Sequence, residues 1–307
     1  MGQGSLSSIR KLVGQKGTGE VEWIEMINAL TVDLEDWYHV CGNGDHSAPS
    51  KWEEYESRIT RNTEKVLVIL RHFDVKATFF VLGYIAEKEP TLIKTIAKEG
   101  HEIATHGHFH LRILDLTRDK FEEDLRRSKK VIEEITSERI LGYRAPEWSI
   151  RRDTFWALSI MKKMGLLYDS SMVPLTRMGE RGFPAFPRRM ETPYGDIIEF
   201  PLTTVRCLWE RLPFSGGLPL RIAPYWLVLN RLTSINKMGK PGMVYIHPWE
   251  FDDEHPEIEL PLTRRFMHYF RIRSTQPKVE GLLKNLKFAP IREVLKAIKV
   301  PKMPEVS

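Results

Sequence analysis

Short runs of apolar, β-branched and aromatic residues alternate along the chain with longer stretches whose apolar positions recur every three or four residues. The short runs predict strands at 26–33, 77–83, 102–106, 142–146, 167–171, 197–201 and 243–249. The periodic stretches predict helices at 60–73, 90–99, 117–135, 152–164 and 224–236, with Thr117 standing where a helix cap belongs. Such alternation points to an α/β protein with a mostly parallel sheet, and about seven strands suit an eight-stranded barrel or a shortened relative of one. An open doubly wound sheet is the competing architecture, but no glycine-rich phosphate loop follows any strand. Residues 172–224 hold 13 Pro or Gly and read as long loops carrying one strand. Together with 38–58 they are expected to shape a binding site. Residues 1–25 read as a poorly ordered leader, 26–300 as a single domain and 301–307 as a tail.

Composition narrows the setting. The 307 residues are 42% hydrophobic, enough to bury a full core. No apolar run approaches the roughly 18 residues of a membrane span, and the N-terminus lacks a secretory apolar stretch. The expectation is a cytoplasmic protein. Cys41 and Cys207 are too few for a disulfide scaffold or a cysteine zinc site. The net charge of +5 is concentrated at the C-terminus, where residues 262–307 carry 11 Lys/Arg against 3 Asp/Glu. Solvated helix faces account for such a bias most simply; a peripheral contact with the inner face of a membrane is the alternative. No nucleic-acid-binding motif accompanies the charge.

The sharpest local feature is His106-Gly107-His108-Phe109-His110, three histidines directly after a predicted strand. Imidazole is the commonest protein ligand for a metal near neutral pH. If the segment turns after Thr105, His106 and His110 share one side and His108 points elsewhere. If it stays extended, all three share a face. Asp33, Glu35 and Asp36 supply carboxylates at the end of the first strand, and metal-assisted hydrolysis needs one to bind the ion and another free as base. Arg144, Asp169 and His247 follow three further strands. In a barrel these strand ends meet at one mouth, beside Trp37, Trp148 and Trp249.

These residues resemble the polysaccharide deacetylase (NodB homology) family of carbohydrate esterases. Asp33 with its acidic neighbours is similar to the first motif of that family, His106 to His110 to its H-x-x-x-H motif, Arg144-Ala145-Pro146 to its R-x-P motif, and His247 to its late histidine motif. Gly142–Ile150, Tyr168–Ser171, Ser215-Gly216-Gly217, His247–Glu250 and His268-Tyr269 resemble the exosortase-associated branch found at exopolysaccharide loci. The resemblance implies a distorted (β/α)7 barrel and removal of N-acetyl groups from an amino sugar of a glycan. It implies Asp33 as base and Glu35, His106 and His110 as ligands of a divalent ion, Zn²⁺ foremost, with Co²⁺ or Ni²⁺ compatible. Arg144 would orient Asp33, and His247 would be the general acid, tuned by Asp169. Where the family has two adjacent aspartates, this chain reads Asp33-Leu34-Glu35-Asp36, so Glu35 is the preferred acidic ligand and Asp36 its alternative. Hydrolysis of a cyclic amide or imide on the same scaffold, or glycan binding without catalysis, are the rival functions.

Overall fold

A computed structural model describes residues 26–40, 48–176 and 179–303. The leader 1–25, Cys41 and residues 304–307 of the tail lie outside the described residues. The strands are β1 (Ile27–Leu34), β2 (Thr78–Val81), β3 (Glu102–Thr105), β4 (Gly142–Tyr143), β5 (Tyr168–Asp169), β6 (Arg188–Met190), β7 (Ile197–Glu199), β8 (Thr204–Cys207), β9 (Glu210–Pro213), β10 (Met243–Ile246) and β11 (Lys287–Ala289). The helices are α1 (Ile59–His72), α2 (Gly83–Lys88), α3 (Pro90–Lys98), α4 (Arg118–Thr136), α5 (Trp156–Lys163), α6 (Gly217–Ile222), α7 (Tyr225–Lys237), α8 (Leu262–Tyr269), α9 (Thr275–Asn285) and α10 (Ile291–Ala297). No helix among the described residues is long and apolar enough to cross a membrane.

The sheet runs β10-β1-β2-β3-β4-β5-β7-β6, parallel from β10 to β7, with β6 antiparallel at the edge and β11 paired to the start of β1. Seven parallel strands thus curve into the incomplete barrel that the alternating pattern predicts. β1 lies between β10 and β2 and is buried from Asn28 to Leu34, as expected of a strand covered on both faces. Residues 172–224 are richer than their Pro and Gly content suggests: they hold β6, β7, the β8–β9 hairpin and α6.

Two apolar layers hold the barrel. The outer layer packs helices on the sheet. Phe121, Leu125 and Ile132 of α4 lie along one side of that helix, which Thr117 caps by accepting from the Lys120 N–H. The inner layer alternates small Ala29 and Ala104 with large Phe80, Tyr168 and Phe200, and Ile291 and Val294 of α10 join it. At the start of β3 the buried Glu102 accepts from Thr78 Oγ1 (2.6 Å), Tyr168 Oη (3.0 Å) and the Arg292 N–H (3.0 Å), which ties α10 to the strands. The gap between β7 and β10 is closed by chain. Tyr245 N–H donates to the Ser215 carbonyl (3.1 Å), and Gly216 bridges Tyr245. Only glycine fits there, because a Cβ at Gly216 would stand 2.1 Å from the Tyr245 ring.

Candidate active site

The C-terminal ends of β1, β3, β4 and β10 converge on a pocket of about 140 Å³ lined by Asp33, Glu35, His106, His110, Arg144 and His247, with His39, Glu147, Trp148, Trp249 and His268 around them. β1 delivers both acids. The Glu35 N–H folds back onto the Asp33 carbonyl (2.9 Å), a three-residue turn that brings two carboxylates spaced by one residue to the same mouth.

The histidine segment takes neither a helical nor an extended course. Gly107 adopts φ +79°, and the N–H groups of His108 and Phe109 donate to the Asp124 carboxylate of α4 (2.8 and 3.2 Å). His110 also has positive φ, +54°. The compact turn sends His106 and His110 inward with ring centroids 5.1 Å apart. It sends His108 outward to a buried site beside Glu87 and Arg127.

Glu35 Oε1 lies 2.9 Å from His106 Nε2 and 3.0 Å from His110 Nε2. His106 Nδ1 is 2.7 Å from the Arg144 carbonyl. A carbonyl can only accept, so Nδ1 carries a proton. Glu35, His106 and His110 bring three N/O ligand atoms within 4.8 Å of one another, and such a set with an oriented histidine suits a divalent ion. Burial opposes ionisation of Glu35, but the charge on His110 and hydrogen bonds from His106 and His110 hold its carboxyl well below the usual range. Asp36 is occupied elsewhere. It accepts from Ser57 Oγ (2.7 Å) and from the N–H groups of Arg58 (2.9 Å) and Ile59 (3.2 Å), at the start of α1.

Asp33 lies beside this cluster, its carboxylate within 4.8 Å of ligand atoms of Glu35 and His247, but has other partners. Arg144, fully buried, gives Nη1 to Asp33 Oδ1 (2.5 Å) and Thr31 Oγ1 (3.0 Å), Nε to the Ser170 carbonyl (3.2 Å) and Nη2 to Ser170 Oγ (2.9 Å), over the Phe80 ring at 4.0 Å. The other Asp33 oxygen faces His247 Nε2 at 3.9 Å. His247 Nδ1 meets Glu250 Oε2 at 3.1 Å, and Glu250 in turn pairs with buried Arg221 at 3.1 Å. Burial alone lowers the His247 pKa, but the Glu250 hydrogen bond and the charges of Glu35, Glu250 and Asp33 outweigh it and raise the value to about 9.

Asp169 does not serve His247. It sits on β5 against Ser171 and the Glu199 carboxyl, fully buried, and burial raises its pKa to about 6. The carboxylate expected from Asp169 is supplied by Glu250, because residues three apart in the turn after β10 meet, whereas β5 lies across the barrel. The His-x-x-Glu spacing of a capping box is the sequence signal for it. Of the tryptophans, Trp249 stacks between His247 (5.1 Å) and His268 of α8 (4.2 Å), Trp148 stands edge-on to Tyr245, and Trp37 packs behind the mouth on Tyr38 and Tyr55.

Residues 49–168 match the family model described as polysaccharide deacetylase. This segment is a polysaccharide deacetylase domain. Residues 170–296 match a second model, a domain of unknown function named DUF3473. In the polysaccharide deacetylase segment lie His106, His110 and Arg144; Asp33 and Glu35 precede it, and His247, Glu250, Arg221 and His268 come from the second segment. The chain is 38% identical over 84 residues to a Bacillus cereus peptidoglycan-N-acetylglucosamine deacetylase, covering 27% of this chain and 39% of that one. It is 30% identical over 103 residues to the Bacillus subtilis peptidoglycan-N-acetylmuramic acid deacetylase PdaA, covering 34% and 38%. The matches therefore span about two fifths of those relatives. Among solved structures, a Mycobacterium smegmatis protein described as a polysaccharide deacetylase shares the fold with a TM-score of 0.64 at 21% identity, covering 97% of this chain and 99% of that one.

Proposed function

We propose that this polysaccharide deacetylase is metal-dependent and removes N-acetyl groups from an amino sugar of an exopolysaccharide or its precursor, releasing acetate. The observation that carries the reading is the division of labour between two neighbouring acids: Glu35 closes on His106 and His110, while Arg144 holds Asp33 beside that cluster and beside His247. Glu35, His106 and His110 would hold the ion, and Zn²⁺, Co²⁺ or Ni²⁺ suits this donor set. When bound it supplies Lewis acidity toward the acetamide carbonyl and an acidified water. Asp33 takes a proton from the water as its oxygen attacks the carbonyl carbon. Arg144 fixes the accepting carboxylate and, being buried with its donors satisfied, does not itself move. His247, cationic at neutral pH through Glu250, gives its Nε2 proton to the nitrogen as the C–N bond breaks. Acetate and a free amino sugar leave.

Acetate release from a panel of N-acetylated oligosaccharides, with small cyclic amides alongside, tests the reading. The expected result is turnover on N-acetyl glycans that a chelator stops and a divalent ion restores. Turnover confined to cyclic amides, or undiminished by the chelator, contradicts it.

A further inference from the structure

A second polar feature lies outside the pocket, on the β8–β9 hairpin. Arg206 and Arg211 are directly opposite each other in its register, so two guanidinium groups leave the same face of a two-stranded ribbon. Like charges in that position oppose each other. Arg211 is partly accommodated by Thr204, whose Oγ1 accepts from Nε (2.7 Å) and whose carbonyl accepts from Nη2 (3.0 Å). Arg206 is exposed and has no hydrogen-bond or ion-pair partner among the described residues. Burial, and then the neighbouring Arg206, lower the pKa of Arg211, the sign of unrelieved positive charge. The nearby acid does not relieve it, because Glu210 is taken by Arg181 and by Thr176 Oγ1 (3.1 Å). At the tip the chain turns through Leu208 at φ +54°, leaving Trp209 81% exposed. Arg181, Arg206, Trp209 and Arg211 line a shallow cleft of about 190 Å³ with Pro174 and Glu210.

Pro174 and Arg181, and the hairpin residues 206–211, follow the C-terminal ends of β5 and β7, the ends at which the catalytic pocket opens. The return strand leads through Ser215 and Gly216, which close the barrel against Tyr245, two residues before His247. An exposed indole offers an apolar plane to a pyranose ring. Two guanidinium groups not paired with an acid offer charge-assisted donors to a carboxylate.

We propose that the β8–β9 hairpin is an acidic-sugar subsite, in which Trp209 stacks on a pyranose and Arg206 with Arg211 bind the carboxylate of a uronate-type residue of the same polysaccharide that enters the pocket. The proposal rests on the polysaccharide reading of the pocket for its ligand class. It assigns to the hairpin a preference for acidic over neutral chains, separate from the chemistry.

Calorimetric titration of the full chain with an oligouronate and with a neutral N-acetylated oligosaccharide of equal length tests it, alongside the Arg206→Glu, Arg206→Ser and Trp209→Ala variants. The oligouronate is expected to bind more tightly than the neutral chain and to weaken with salt. Each variant is expected to lose affinity by about tenfold or more, the scale of one charge-assisted hydrogen bond. Arg206→Glu pairs with Arg211 across the strands, so its melting temperature should equal or exceed that of the parent, which separates lost binding from lost folding. Acetate release from a short neutral substrate, which has no carboxylate, should be unchanged in the two Arg206 variants. Equal affinity for the two oligosaccharides, or variants that bind the oligouronate within twofold of the parent, overturns the subsite. Oligouronate binding that depends on Arg206 in a protein with no deacetylase activity would leave the subsite standing and remove the catalytic reading.

Discussion

Asp33, Glu35 and Asp36 sit within four residues of one another, yet their neighbours give them three tasks: Arg144 beside Asp33, two histidines beside Glu35, and the start of α1 above Asp36. The cluster of acids was legible as chemistry from its place at a strand end. Its division came only from the family resemblance, with Asp36 left as the alternative to Glu35, because it depends on where α1 begins, 23 residues from Asp36. The same holds for His106, His108 and His110, whose spacing allowed two geometries until Asp124 of α4 bent the segment between them. Arg144→Lys keeps the charge but loses the fork that spans Asp33, Thr31 and Ser170. Turnover should fall by about a hundredfold or more with the metal retained, since a displaced base costs that order. In the metal-free protein the His247 ring should titrate at about 9 by NMR. Glu250→Gln removes the anion behind Nδ1, so the titration should move to lower pH; an unchanged value would remove Glu250 from the role given to it.

At the scale of elements, β1, β2, β3, β7 and β10 could be read from the sequence because each is a run rich in apolar or β-branched residues bounded by turns, whereas β4 and β5, two residues each, follow from their place in the alternation. The β8–β9 hairpin could not, since Arg206 and Arg211 break the alternation and its strands are four residues long. α2 is equally hidden: six residues show no period. α1 is joined to the turn after β10 by Asp252, which is buried and accepts from Arg61 (2.9 Å), Asn62 (3.2 Å) and Arg58 (3.3 Å). Asp252→Ala strands those donors and should lower unfolding stability by about 1–3 kcal/mol in a urea titration. His101, at the entrance to β3, accepts from the Ala77 N–H at 3.1 Å, and burial, then Lys76 and Arg71, lower its pKa to about 4. Between about 4 and the ordinary 6.5 the unfolded chain binds the extra proton, so stability should rise with pH across that window and be lost as pH falls through it. His101→Asn, which keeps an acceptor for Ala77, should flatten that slope.

The whole molecule is a barrel whose proposed catalytic groups come from both halves of the chain, so the two matched segments form one site rather than two modules. Closure of Gly216 against Tyr245 lies within the second of them. Gly216→Ala forces a methyl into the Tyr245 ring and should cost about 1–3 kcal/mol of stability, with loss of turnover as β10 shifts beneath His247. Part of the C-terminal excess of positive charge, prominent in the sequence, is paired. Arg264, Arg265 and Arg273 pair with Glu147, Glu257 and Asp253, Lys278 holds carbonyls around α6, and Lys302 meets Glu191. A count of charges could not show this, because the acids lie in other segments. The central claim is that Glu35, His106 and His110 hold a divalent ion for which Asp33 is the separate base. Metal content and acetate release, measured on the same preparations of the parent, Asp33→Asn and a His106→Ala/His110→Ala double variant, test it most directly. The parent should hold about one ion per chain and release acetate, Asp33→Asn should hold the ion without turnover, and the double variant should lose both. A double variant that binds metal and turns over like the parent would contradict the account.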